Sequence, residues 1–323
     1  MATSTSETSG AAPPAVASRV LAPRPVLAIV TRLAAAAMLS LMFTIVKILN
    51  ARGVSLFETV LYRQLLSLPF IVVWMAMGAG LAQIRTQRPR AHAMRAAVGL
   101  SGMALNFLAM RMLPLAEATT IAFAMPIFAT VLAALVLREP TGRFRWTAVL
   151  VGFIGVVIVA RPTGADMHPL ATMVALLAAF VTAVVTIVIR QLTSTEPVGT
   201  TVFWFTAYSS MLLLPFLPFF GQAHDVATWA WIIGLGLVGG ISQILLTAAL
   251  KMAPVAVVIP MDYTSLLWAT LFGWLAFSTL PLATTLLGAP IIIASGIAIL
   301  WREHHLGRLR AAAATATAVS ATE

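Results

Sequence analysis

The chain has 323 residues, 60% hydrophobic and only 9% charged, with a formal net charge of +10. A water-soluble domain carries about 25% charged residues, so this composition excludes an ordinary solvated surface and leaves lipid facing most of the apolar excess. The absence of cysteine also excludes disulfides, thiolate metal sites and a cysteine nucleophile.

Residues 1–25 are rich in Ala, Ser, Thr and Pro and lack the apolar core and cleavage site of a signal peptide. They read as a cytoplasmic tail. A helix that crosses the hydrocarbon core needs about 20 mostly apolar residues. Ten such runs follow, at 26–49, 58–81, 95–113, 117–137, 144–160, 169–190, 198–220, 227–250, 255–277 and 282–301. Lipid offers no partners for unpaired backbone groups, so continuous runs of this length must be helical. A barrel would show alternating segments of about ten residues instead. Residues 302–323 form a second, low-complexity tail, also placed in the cytoplasm.

Orientation follows from the basic residues. With the N-terminus inside, the inner side holds fifteen: Arg19, Arg24, Arg32, Arg85, Arg88, Arg90, Arg95, Arg138, Arg143, Arg145, Arg190, Lys251, Arg302, Arg308 and Arg310. The outer side holds four, Lys47, Arg52, Arg111 and Arg161, and Arg63 falls within a span. That bias obeys the positive-inside rule and explains the net charge without nucleic acid. It also favours an even number of spans, with both ends cytoplasmic in a multi-pass protein of the inner membrane.

Five runs precede the link 161–166 and five follow it. Five is odd, so the second half inserts upside down relative to the first. The expected fold is all-α, with ten transmembrane helices in two inverted five-helix repeats, 26–162 and 167–301. In such transporters the solute sits near mid-membrane between the repeats. Proline-bearing segments echo this duplication. Leu113-Pro-Leu-Ala116 and Arg138-Glu-Pro140 flank the fourth run; Met252-Ala-Pro-Val-Ala256 and Thr279-Leu-Pro281 flank the ninth.

The run Leu113-Pro-Leu-Ala-Glu-Ala-Thr-Thr-Ile-Ala-Phe-Ala-Met-Pro-Ile-Phe128, closing at Arg138-Glu139, resembles the EamA-type half of the drug/metabolite transporter superfamily. So do Gly152-Phe-Ile-Gly155 with Arg161-Pro162. In the second half, Pro260-Met-Asp-Tyr-Thr-Ser-Leu-Leu-Trp-Ala269 with Gly273-Trp274 is similar to that family's ninth helix. The resemblance covers roughly residues 30–300. It implies a ten-helix inverted-repeat transporter with a central cavity and a small cargo such as an amino acid, a derivative, a vitamin or a drug-like compound. One departure stands out. The family often closes the ninth helix with Gly-Glu, and here Phe277-Ser-Thr-Leu280 occupies that place.

Intramembrane polar residues mark candidate sites, because each is costly unless it faces a cavity or a partner. Asp262 lies about two turns inside the ninth run, roughly 10 Å deep at 1.5 Å per residue. It reads as a substrate or proton site, or as a structural contact. Tyr263 reads as cavity wall, and Trp268 as packing. Gln243, beside Ser242, lies at a depth similar to Asp262 and could be its hydrogen-bond partner. Asn106 sits near mid-membrane. Thr119, Thr120 and Met125 share a stretch where Pro126 removes a backbone donor and frees a carbonyl one turn back. Substrate contacts are therefore expected at Asn106, Thr120, Gln243, Asp262 and Tyr263. Lys47, Glu58, Arg63 and Glu117, with Arg111, fall near outer ends and suggest either an outer gate of ion pairs or a solvated charged rim.

Other patterns carry no chemistry. Gly234-Leu-Gly-Leu-Val-Gly239 matches a dinucleotide-binding string but lies inside an apolar run and follows no strand. Gly236 and Gly240 read instead as a small-residue packing face. Glu303-His304-His305 lacks helical metal-site spacing, and no phosphate-cradling GxxxxGK[ST] loop occurs. The expectation is a secondary transporter for a small molecule, with no catalytic residues, metal, cofactor, nucleic acid or obligate protein partner. A membrane-embedded enzyme is the first alternative, and would need several ionisable groups converging at one depth. A receptor without cargo is the second, and would need larger loops than the longest here, 82–94.

Overall fold

The computed structural model describes residues 25–129 apart from 79 and 126, residues 169–252 and 259–279, and scattered positions within 132–158 and 283–301. Every regular element among these residues is helical. Helix α1 spans Pro25–Ala51, α2 Leu56–Met77, α3 Pro89–Met112 and α4 Leu115–Ala122. In the second half, α5 spans Pro169–Thr193, α6 Val198–Leu213, α7 Val226–Met252 and α8 Ser265–Phe277. Two short turns carry α6 on to Phe220.

Six helices are long and apolar enough to cross a membrane: Val26–Ala51, Leu56–Met77, Pro89–Met112, Pro169–Thr193, Val198–Phe220 and Val226–Met252. Shorter apolar helices at Glu117–Ala129, Ser265–Phe277 and Leu286–Ser295 fall within the fourth, ninth and tenth expected runs. The outward surface is apolar as lipid requires. Met77, Met173, Met211, Phe219 and Leu267 are each more than two-thirds exposed. The N-terminal tail, most of the fifth run, the link 161–166, Arg138, Glu139 and the C-terminal tail lie outside the described residues.

Local chemistry sets the helix ends. Ser55 and Glu58 form a reciprocal capping box that starts α2. Pro89 opens α3, where its missing N–H is no loss. The Asp225 carboxylate accepts from the Thr228 N–H at 3.2 Å and caps α7. Hydrogen bonds from the Thr228 hydroxyl and then its N–H hold the exposed Asp225 carboxyl below its usual range. Helix α3 begins six residues before the sequence suggests, which draws Arg95 into the span.

The fourth and ninth runs are both broken. After Ala122 the chain tightens into i→i−3 bonds, Phe123 N–H to Thr120 O and Ala124 N–H to Ile121 O, just ahead of Pro126. In the second half, a 3₁₀ turn over Ile259–Thr264, containing Pro260, precedes α8. Proline lacks the donor and clashes with the preceding turn, so both interruptions have the same cause. Each lies in the fourth expected run of its half.

Packing repeats the same relationship. The most extensive contacts join α1 to α7 and α3 to α5. If the expected repeats 26–162 and 167–301 are two copies of one five-helix unit, α1 corresponds to α5 and α3 to α7. The two pairs are then exchanged by a single two-fold operation. That operation also maps the α2–α6 and α4–α8 contacts onto themselves, and all these contacts are present. All four interfaces bring the halves face to face.

The glycine face of α7 is used as expected, against α2. A methyl on Gly236 would overlap Leu66, and one on Gly240 would press on Phe70 at 3.0 Å. Ser67 donates to the Gly236 carbonyl at 2.7 Å across this contact.

Candidate substrate cavity

A cavity of about 220 Å³ lies between the two halves. Its wall takes residues from α1 to α4 on one side, and from α5 to α8 with the 3₁₀ turn on the other. Much of it is apolar: Leu39, Phe43, Met103, Phe107, Phe123, Val185, Phe205 and Leu246 all contribute. Both helix interruptions reach it, through Ala122, Phe123 and Met125 in the first half and Asp262 and Ser265 in the second. Ala122 is the residue whose carbonyl loses its helical donor to Pro126.

Its polar groups are few and specific. Asp262 is gripped by Arg32, with Nε donating to Oδ1 and Nη2 to Oδ2, both at 2.5 Å. The pair is bidentate, and the Arg32 side chain is 5% exposed. It joins α1 to the 3₁₀ turn, and so the first half to the second. Gln243 turns the other way. Its Oε1 lies 3.5 Å from Arg63 Nη2, and its Nε2 donates to Thr247 at 3.4 Å. The expected Gln243–Asp262 bond is therefore replaced, because a charged fork satisfies a carboxylate better than an amide does.

Asn106 lines the cavity and donates through Nδ2 to the Gly102 carbonyl at 2.8 Å and to Thr182 Oγ1 at 3.0 Å. This ties α3 to α5 in the wall. Thr119 contributes to the lining, its hydroxyl donating to the Leu115 carbonyl, whereas the expected Thr120 is wholly buried beside it. Tyr263 lies in the 3₁₀ turn after Asp262, with its side chain outside the described residues.

The charged groups expected at the outer ends are not a solvated rim. Glu58 is fully buried, and Arg63 and Glu117 are 2% exposed. Arg63 belongs to the cavity wall. Its guanidinium donates to Gln64 Oε1 and, at 3.0 Å, to the Gly239 carbonyl. The Lys47 ammonium donates to the Met110 and Leu113 carbonyls at 3.2 and 2.6 Å, closing the end of α3. Glu117 is within electrostatic reach of it.

Two polar seams cross between the halves beyond the cavity. At one end, Glu58 Oε1 accepts from the Gln222 N–H at 2.8 Å and lies 2.9 Å from His224 Nε2. At the other, Thr86 donates to Glu196 at 2.7 Å and Arg88 to Thr195 at 2.9 Å. There Glu196 also lies 3.8 Å from buried His92, and Lys251 donates to the Glu196 carbonyl.

Arg32 and Arg95 also line the cavity, although in sequence both fit the inner charge bias. Arg95 is 2% exposed and lies over the Phe205 ring at 4.1 Å from its centre. Arg32 already fell six residues inside the first expected run, and that position was the available signal.

An interrupted helix in each half, facing across one cavity, is the architecture of inverted-repeat carriers. Comparison with known proteins agrees. The EamA-like transporter family matches twice, at residues 26–161 and 169–301. A riboflavin transporter of Vibrio cholerae is 31% identical over 66% of this chain and 72% of its own. An S-adenosylmethionine uptake transporter of Rickettsia bellii is 27% identical over 76% of this chain and 84% of its own. A pseudopaline exporter of Pseudomonas aeruginosa is 27% identical over 75% and 85%. A solved crystal structure shares the fold at a TM-score of 0.61 and 17% identity, covering 86% of this chain and 98% of that one. With two family repeats enclosing one cavity, this multi-pass membrane protein is a transporter and not an enzyme, and it belongs to the EamA-like transporter family.

Proposed function

We propose that the protein is a secondary active transporter that moves a small metabolite across the cytoplasmic membrane by alternating access. The observation that carries this reading is the cavity's position. It lies between the two halves and is bounded by different cross-half contacts toward each end. Rocking one half against the other would break one set while keeping the other.

Opening toward the Glu196 end requires Arg32 to release Asp262, and requires Arg88 and Thr86 to part from Thr195 and Glu196. Opening at the opposite end requires Glu58 to lose Gln222 and His224. The first of these ends is assigned to the cytoplasm. Moving Arg32 and Arg95 from the links into the spans still leaves thirteen basic residues inside against four outside. Both termini are then cytoplasmic, and ten spans satisfy the count.

Energy comes from the solute gradient or from protons. A proton and the Arg32 fork compete for the same Asp262 oxygens, so proton binding would release the inner contact. Asn106, Gln243 and Tyr263 remain the assigned cargo contacts, with Thr119 taking the place given to Thr120. The named cargoes of the relatives, riboflavin, S-adenosylmethionine and pseudopaline, set the size class. They also include both uptake and export.

The test is solute counterflow in proteoliposomes with labelled riboflavin and S-adenosylmethionine, then with a metabolite extract, at several pH values. Saturable, protein-dependent exchange that Asp262→Asn makes insensitive to pH is expected. Exchange by Asp262→Asn with unchanged pH dependence removes the proton role. No protein-dependent movement of any solute removes the carrier reading.

A further inference from the structure

Building on the carrier reading, we propose that the cargo is an organic anion whose acidic group, carboxylate or phosphate, is received between Arg63 and Arg95 beside Phe205.

The cavity wall holds three guanidinium groups, Arg32, Arg63 and Arg95, and among its described residues one carboxylate, Asp262. Arginine stays charged at neutral pH. Arg32 consumes Asp262 through both oxygens. Arg63 and Arg95 are left without a counter-charge among the described residues, although each is 2% exposed. Bringing two such cations together in a low-dielectric interior is unfavourable unless something neutralises them.

What the protein supplies is partial. Arg95 lies over one Phe205 ring at 4.1 Å and Arg63 near the same ring at 5.9 Å, so one ring quadrupole serves both. Arg63 also spends donors on Gln64 and the Gly239 carbonyl. Nε and Nη1 of Arg95 and Nε of Arg63 are buried and have no hydrogen-bond acceptor among the described residues. Buried donors of this kind are ordinarily satisfied. Three of them beside one cavity define a receptor for acidic oxygens, and forked guanidinium donors match carboxylate and phosphate geometry.

Two glycines make the arrangement possible. A methyl on Gly99 would overlap the Arg95 guanidinium, and a methyl on Gly239 would come within 2.8 Å of Arg63 Nε. The backbone thus leaves room for both cations to lie against the cavity. The rest of the wall, with Phe43, Phe107, Phe123 and Met103, suits an apolar or aromatic body attached to the acid.

The experiment uses full-length protein in liposomes, and mass spectrometry of what accumulates from two sources. One is a bacterial small-molecule extract. The other is an equimolar mixture of matched pairs: indole-3-acetate with indole-3-acetamide, and riboflavin 5′-phosphate with riboflavin. The expected result is protein-dependent accumulation confined to anions, with an acid preferred over its neutral partner by about tenfold or more. The two pairs separate carboxylate from phosphate. Arg95→Gln and Arg63→Gln should abolish the preference. If either fails to fold, Gly99→Ala, which displaces the Arg95 guanidinium, should weaken it without changing net charge. Accumulation of neutral or cationic solutes at equal or higher rates overturns the anion assignment and leaves the carrier reading standing. A preference that survives both Gln variants also overturns it. No protein-dependent accumulation at all overturns the carrier reading and the assignment with it.

Discussion

Arg32 and Asp262 stand 230 positions apart in the chain and meet through two parallel hydrogen bonds of 2.5 Å each. The contact connects the first helix of one repeat to the interrupted helix of the other, beside the cavity. Removing one partner of this part-buried pair leaves an uncompensated charge, at a cost of up to about 3–5 kcal/mol. Asp262→Asn is therefore expected to lower thermal stability in detergent by an amount of that order. Arg32→Met with Asp262→Leu should recover most of the loss, because both charges leave together. Uptake driven by a proton gradient should fail in both variants, while solute exchange continues without its pH dependence. A double variant as unstable as the single one would show that packing, not charge pairing, sets the cost.

Gly234 and Gly236 lie two residues apart on α7 and face different surroundings. Nothing lies within 4 Å of a methyl built on Gly234, whereas one on Gly236 overlaps Leu66. Gly234→Ala should be neutral or stabilising by about 0.5–1 kcal/mol, since it only stiffens a helix. Gly236→Ala should destabilise by about 1–3 kcal/mol by forcing α2 and α7 apart. Thermal unfolding of the two variants side by side checks this, and equal effects would contradict the close approach of α2 to α7.

Much of this architecture was legible because lipid imposes length and continuity. The runs that became α1, α6 with its extension, and α7 agree with the structure to within about two residues at each end. What was not legible was the partner of a buried charge. Asp262 was visible as an intramembrane acid, and its depth was matched to Gln243. Arg32 lies at a similar depth in α1, but an arginine near a span end also satisfies the positive-inside rule, so it was read as a topological signal. Arg95 was hidden by the same logic and by the unrecognised start of α3 at Pro89. Gly99 and Gly239, which make room for the two unpaired cations, carry no mark in sequence. Their role appears only when a side chain from another turn or helix is set against them.

Glu58 closes the end of the molecule opposite Glu196. Its carboxylate serves the Ser55 cap, the Gln222 N–H and His224 at once. Removing it strands several donors, so Glu58→Ala should cost about 1–3 kcal/mol. It should also loosen one seam only. The native chain has no cysteine, so a single Ser40→Cys in the cavity wall reports alone. Its reaction with a membrane-impermeant maleimide added outside should quicken in the Glu58→Ala background. An unchanged rate would mean that Glu58 caps helix α2 but does not seal the cavity.

Orientation is open to the same chemistry. Arg88 and Asp225 sit in exposed links at opposite ends of the bundle, Arg88 paired with Thr195 and Asp225 capping α7. If the thirteen basic residues face the cytoplasm, Asp225→Cys should react with impermeant maleimide in intact cells, and Arg88→Cys only after permeabilisation. The opposite pattern would invert the whole assignment. The seam built on Glu196 would then face outward, proton competition at Asp262 would act from the outer side, and the two ends of the carrier cycle would exchange roles.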